Sequence, residues 1–263
     1  MNILQALLLG VVQGVTEFLP ISSSGHLALL QSTFDNFEQP GLLFDTLLHL
    51  ATLFALLLYF RKRVLKLLKA FLGFFFSSLK IHYYEERDLL WGIVIATIPT
   101  AIMGLSLQKV AISLFEKPAV VGYMLILTSI LLYLSGKQNY NERVSPVRAL
   151  IVGFVQGFAV LPGLSRSGST IFTALATGIS RERAAEFSFL ISMPAVAGAC
   201  ILEARHLGEL TAGNIPVYAV AMAAAFLTGF ASIGVMMNLV RRAKLDFFAV
   251  YCLILGVFAI LWV

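Results

Sequence analysis

"GVVQGVTEFLPISSSGH", Gly10 to His26, sets Gln13, Glu17, three serines and His26 into a chain that is otherwise strongly apolar. Its outline returns in the second half. "GVVQG" (Gly10 to Gly14) recurs as "GFVQG" (Gly153 to Gly157), and each copy runs through an apolar stretch and a proline into a serine-glycine turn. Those turns are "LPISSSG" (Leu19 to Gly25) and "LPGLSRSG" (Leu161 to Gly168), which align with a gap of one residue. The repeat divides a single membrane domain, residues 1–263, into two parts of about 1–140 and 145–263.

Composition supports a membrane protein. Of the 263 residues, 59% are hydrophobic and 13% charged, against about a quarter charged in soluble domains; the mean hydropathy is +0.89. The apolar residues fall into runs of roughly twenty, the length that crosses a ~30 Å hydrocarbon layer as a helix. The start, "MNILQALLLG", lacks the basic region of a removable signal peptide, so none is expected. Cys200 and Cys252 stand singly in apolar runs and suggest neither a disulfide framework nor a metal site. The net charge of +5 does not indicate nucleic-acid binding, because the basic residues cluster between apolar runs.

Six segments read as crossings: about 42–60, 89–107, 118–135, 184–204, 216–240 and 246–263. Pro99 and Pro194 fall inside two of them, which membrane helices tolerate. Arg61, Lys62, Arg63, Lys66, Lys69, Lys80, Arg87, Lys137, Arg143, Arg148, Arg181, Arg183, Arg241, Arg242 and Lys244 lie on one side, with Lys109, Lys117 and Arg205 on the other. The positive-inside rule places the larger set in the cytoplasm. Segments 3–35 and 149–180 must then enter and leave on the same side, the first from outside and the second from the cytoplasm. The expected fold is all-α, with six transmembrane helices and two re-entrant helix pairs in an inverted-topology repeat. Such folds place their sites near the midplane, where broken helices meet. The stretch "FLGFFFSSLK" (Phe71 to Lys80) reads as a surface-lying amphipathic helix.

Chemistry concentrates at the two turns. Gln13 and Glu17 are four apart and share a helix face; an ionisable group at this depth is costly and marks a functional site. Ser22, Ser23, Ser24 and His26 offer hydroxyls, backbone amides and an imidazole, suited to a nucleophile, anion binding and proton transfer. In "PGLSRSGST" (Pro162 to Thr170), Arg166 stands between Ser165 and Ser167, with Ser169 and Thr170 opening the next helix. A guanidinium among hydroxyls and free helix amides suits phosphate. Arg166 is also the natural counter-ion for Glu17. Asp45 and His49 share a face at i and i+4 near the outer end of the first crossing, where pairing with each other or with backbone competes with a substrate-side role, and Glu186 reads as an ion partner at the interface.

Together "QGVTEFLPISSSGH" and "PGLSRSGST" resemble the signature motifs of the undecaprenyl-diphosphate phosphatase family, the bacitracin-resistance proteins. "FDTLLHLATLFALLLYFRK" (Phe44 to Lys62) and "SRERAAEFSFLISMPAVAGA" (Ser180 to Ala199) extend the likeness across the chain. The resemblance implies six spans with two re-entrant pairs and an intramembrane hydrolase. Its substrate would be undecaprenyl diphosphate, cut to undecaprenyl phosphate and inorganic phosphate at the outer face of the bacterial cytoplasmic membrane. The product would re-enter peptidoglycan synthesis, and removal of the diphosphate would confer bacitracin resistance.

Carried over residue by residue, the resemblance makes Glu17, Ser23, His26 and Arg166 catalytic. Gln13, Ser165, Ser167 and Thr170 of the same motifs would bind substrate, and Ser22 and Ser24, read from the turn itself, are the further substrate-binding candidates. It also implies a divalent cation, magnesium or calcium, held by Glu17 and the diphosphate oxygens. Many members carry Glu where this chain has Gln13, which removes one carboxylate from a metal clamp. Ser23, His26 and an activated water all stand open as nucleophile. Membrane lipids are the other expected partners, and a homodimer stays open. A polyprenyl-phosphate flippase or ion-coupled transporter is the competing class, because inverted repeats and broken helices also build carriers.

Overall fold

In hydrocarbon a helix satisfies its own backbone groups, and the apolar runs among the described residues fold as helices. The computed structural model describes residues 1–34, 43–73, 86–115, 117–135, 143–209 and 212–261, and among these there is no strand. In chain order the helices are α1 (Ile3–Phe18), α2 (Ser23–Gln31), α3 (Leu43–Tyr59), α4 (Arg61–Leu72), α5 (Arg87–Phe115) and α6 (Pro118–Ser135). They continue with α7 (Pro146–Phe158), α8 (Arg166–Ala176), α9 (Arg181–Glu203), α10 (Ile215–Arg241) and α11 (Asp246–Leu261). Two 3₁₀ turns, Ala204–Glu209 and Ala212–Asn214, link α9 to α10.

Four helices, α5, α6, α9 and α10, are long and apolar enough to cross a membrane, and α3 with α4 makes a fifth span if the bent pair is one. The protein is a multi-pass membrane protein. All six expected segments coincide with helices, but α5 runs on to Phe115, past the expected end at 107. Nothing in "SLQKVAISLF" breaks a helix, and the next proline, Pro118, opens α6. α11 has 16 residues. Pro99 and Pro194 lie within α5 and α9 without ending them. α4 turns away from α3 by 83°, exposing Leu65, Leu68 and Phe71 beside its lysines. Most of the surface helix expected at Phe71 to Lys80, from residue 74 on, lies outside the described residues.

The outer surface carries exposed Leu4, Ile201, Leu227 and Phe247, as a protein solvated by lipid should. Lipid tails provide no hydrophobic drive between helices, so close backbone contact at small residues must hold the bundle. α1 packs on α10 and α7 on α5, each through the first glycine of the repeated motif. A Cβ on Gly10 would stand 2.2 Å from the Ala221 carbonyl oxygen, and one on Gly153 would stand 2.2 Å from that of Ala96. α6 and α11 meet through Gly122 and Gly256, each against the other's carbonyl oxygen.

These contacts yield a test. Gly10→Val or Gly153→Val forces a side chain into backbone that cannot turn aside, at a cost of about 3 kcal/mol, the upper end of overpacking. Thermal unfolding in detergent should show a fall of several degrees. Gly104→Ala, with nothing within 4 Å of an added Cβ, should hold or gain up to about 1 kcal/mol.

One end of the bundle gathers charge. Arg63 at the start of α4 bonds Glu86 at 2.6 Å and forms an ion pair with Glu186 of α9 at 2.8 Å, while Arg241 at the end of α10 pairs with Glu182. Glu186 is thus the ion partner its position suggested. At the other end the first two turns of α1, α3 and α10 share a core of Ala6, Leu9, Phe44, Leu48 and Tyr218.

Candidate active site

Each copy of the repeated motif ends its helix before the proline, α1 at Phe18 ahead of Pro20 and α7 at Phe158 ahead of Pro162. After Pro20 the chain turns through Ser22, whose φ of +66° is unusual for a residue with a Cβ. The Ser22 hydroxyl accepts the Gly25 N–H at 3.2 Å and so starts α2 at Ser23. After Pro162 and Gly163, at φ +92°, Ser165 accepts the Gly168 N–H at 3.1 Å and starts α8 at Arg166. The two breaks therefore present Ser23 and Arg166 at the same position, the first residue of a capped helix.

The breaks also touch each other. Ser167 donates to the Leu19 carbonyl at 3.2 Å, and a Cβ on Gly25 would stand 3.1 Å from the Gly163 Cα. Thr128 of α6 pins the second break, donating to the Gly163 carbonyl at 3.1 Å and accepting the Ser165 N–H at 2.9 Å.

Glu17, buried in the last turn of α1, is the centre. Its Oε1 pairs with Nη2 of Arg166. Its Oε2 accepts from Ser23 Oγ at 2.6 Å and from Gln13 Nε2 at 3.0 Å, and lies 3.2 Å from Nδ1 of His49 on α3. Gln13, Glu17, Ser23 and Arg166 thus converge around one carboxylate. A buried carboxylate is tolerable here because a cation and several donors surround it. Gln13 Oε1 and Arg166 Nη1 are buried without a hydrogen-bond partner among the described residues. One is a spare acceptor and the other a spare cationic donor.

The remaining residues sit around this centre. Ser22 and Ser24 lie 3.3 Å apart through their hydroxyls, as do Ser165 and Ser167. Thr170 is fully buried; it donates to the Arg166 carbonyl at 2.7 Å and meets Ser188 at 2.5 Å, so it braces the arginine's turn. His26 is held elsewhere, with Nδ1 2.8 Å from the Ser22 carbonyl and Nε2 2.7 Å from the Tyr251 hydroxyl. The two rings stack at 4° with centroids 5.6 Å apart. Because a carbonyl only accepts, His26 carries its proton on Nδ1 and accepts at Nε2. Asp45 takes a 2.6 Å bond from Gln31, whereas His49 turns to Glu17. Composition and spacing left Tyr251 without a role, and for His49 they offered Asp45 or a substrate-side role but not Glu17.

Among the described residues no three of His, Cys, Asp and Glu gather in a metal-binding group. The available donors, Glu17 and the spare Gln13 oxygen, fit a hard cation that draws its other ligands from phosphate and water, as magnesium commonly does.

Comparison with known proteins agrees with the motifs. The family described as Bacitracin resistance protein BacA matches residues 6–258. The undecaprenyl-diphosphatase of Syntrophotalea carbinolica is 45% identical over 260 residues, covering 97% of each chain. That of Korarchaeum cryptofilum is 42% identical over 266 residues, 98% of each. That of Methanosphaera stadtmanae is 39% identical over 273 residues, 99% of this chain and 98% of the other. With a match of this length and relatives of this identity, the chain belongs to the bacitracin resistance protein BacA family.

Proposed function

We propose that this protein hydrolyses undecaprenyl diphosphate to undecaprenyl phosphate and inorganic phosphate at the outer face of the bacterial cytoplasmic membrane. The carrying observation is the 2.6 Å bond from Ser23 to a carboxylate that also pairs with Arg166. A nucleophile, a base and a phosphate-binding cation share one buried point.

The fold behind this function is six spans, α3, α5, α6, α9, α10 and α11, with α1–α2 and α7–α8 as re-entrant pairs. The two halves, about 1–140 and 145–263, form an inverted repeat. Three facts support this. The start of α1 packs among the starts of α3 and α10. The entry to α7 lies instead beside the start of α5, where Val144 approaches Gly92, and Arg148 reaches the Thr177 carbonyl at the end of α8. The motif glycines also make matching contacts on α10 and α5.

In the reaction, Arg166 draws the terminal phosphate in through Nη1, and the amides that open α2 and α8 add fixed positive ends. Ser23 Oγ attacks the terminal phosphorus while Glu17 takes its proton. The bond from phosphorus to the bridging oxygen breaks, and undecaprenyl phosphate leaves as an anion. Water then cleaves the phosphoserine, restoring Ser23 and releasing inorganic phosphate. A divalent cation, held by Gln13 Oε1 and Glu17, would neutralise diphosphate charge. His26, engaged at both ring nitrogens, holds the Ser22 turn that aims Ser23.

The test is phosphate release from undecaprenyl diphosphate by purified protein in detergent, with magnesium, with calcium and with chelator. Release that falls on chelation and returns with either ion supports the reaction and its cation. No release from folded protein with both ions supplied would shift the function to polyprenyl-phosphate transport.

A further inference from the structure

Arginine and carboxylate tend to pair through two parallel hydrogen bonds, yet Glu17 and Arg166 do not. Only Nη2 engages, on Oε1, while Nη1 stays buried without a hydrogen-bond partner among the described residues. Something keeps Oε2 from turning toward the guanidinium. Three groups hold that oxygen: Ser23 Oγ at 2.6 Å, Gln13 Nε2 at 3.0 Å and His49 Nδ1 at 3.2 Å. Ser23 cannot do the holding, since it must leave Glu17 during attack.

That leaves Gln13 and His49. Gln13 comes from the same helix as Glu17, one turn earlier, and moves with it. His49 comes from α3, a separate helix, and gives an independent fixed point. A carboxylate only accepts, so the contact selects the His49 tautomer with its proton on Nδ1. Gln13 Nε2 lies 3.0 Å from the same Nδ1 and donates to the same Oε2; two N–H donors do not bond each other, so both are turned onto the carboxylate oxygen. The His49 side chain is 29% exposed, so it sits at the rim of the buried cluster.

Building on the phosphatase function, we propose that His49 is a positioning residue: its Nδ1–H holds Glu17 on a single arginine nitrogen. This keeps Oε2 on Ser23 and leaves Arg166 Nη1 free for phosphate. Without it, the carboxylate swings into a two-bond clamp, and the enzyme loses its base and part of its phosphate site together.

The test uses His49→Phe, which keeps a ring and removes the donor, His49→Asn, which places an amide where Nδ1 was, and His49→Gln, which reaches the Nε2 position. His49→Phe should lower kcat about 30-fold, the equivalent of one hydrogen bond to a charged group. It should also weaken inhibition by inorganic phosphate about 10-fold as Nη1 is drawn onto Glu17. His49→Asn should recover most of both, and His49→Gln should not. His49→Phe with unchanged kcat and phosphate inhibition would overturn the proposal, as would folded Asn and Gln variants of equal activity. If His49→Phe does not fold, the Asn and Gln pair decides alone. Wild type that releases no phosphate defeats the phosphatase function itself, a separate outcome.

Discussion

Arg166→Ala should abolish phosphate release, with kcat/KM falling by about 10³-fold or more, the range seen when a cationic side chain is removed from a transferring phosphoryl group. Part of any loss could come from the fold. Glu17 is buried, and Arg166 is its paired cation; removing one partner of a buried pair costs about 3–5 kcal/mol because the other charge is stranded. A second substitution separates the two effects. In Arg166→Ala/Glu17→Gln no buried charge is left alone, so thermal stability in detergent should recover most of what Arg166→Ala lost. Activity should not return. Arg166→Lys should also stay poorly active, since one ammonium cannot serve Oε1 of Glu17 and a phosphate at once as two guanidinium nitrogens can. A double variant that regained both stability and phosphate release would show that turnover needs neither the Arg166 cation nor the Glu17 base.

This pairing also marks what a single sequence reveals. Glu17 and Arg166 are 149 residues apart, yet hydrocarbon penalises each charge so heavily that a mutual pair was the simplest resolution. Gln13 and Ser23 were legible for a related reason, since polar groups in an apolar run must be there for something. The positions of α3, α5, α6, α9, α10 and α11 followed from apolar runs. Hidden were the features that depend on which helix faces which. His49 could equally have answered Asp45 on its own helix, and only the packing of α3 beside α1 turns it to Glu17. Tyr251, in an apolar final helix, looks like any lipid-facing aromatic until α11 brings it to His26. The length of α5 was missed because a helix can continue past the hydrocarbon wherever nothing stops it.

Ser23→Ala carries the sharpest distinction between reaction and transport. The hydroxyl is small and, among the described residues, its hydrogen bond is to Glu17, so its loss should cost the fold about 1 kcal/mol. If Ser23 attacks phosphorus, the same change removes the nucleophile, and turnover should fall about 10³-fold or more, to what water can achieve beside Arg166 and Glu17. Quenching wild type during turnover with substrate labelled on the terminal phosphate should leave the label on Ser23, and in Ser23→Ala the label should be absent from protein. Label on His26 would instead require that ring to leave both the Ser22 carbonyl and Tyr251. Release with inversion at phosphorus and no labelled protein would assign the attack to water, with Ser23 reduced to orienting it. A carrier has no bond to break and would lose little with the hydroxyl, so full lipid movement by Ser23→Ala without phosphate release would place binding and hydrolysis on different groups. The 2.6 Å contact favours the first outcome: a serine proton already shared with a buried carboxylate is on its way to leaving.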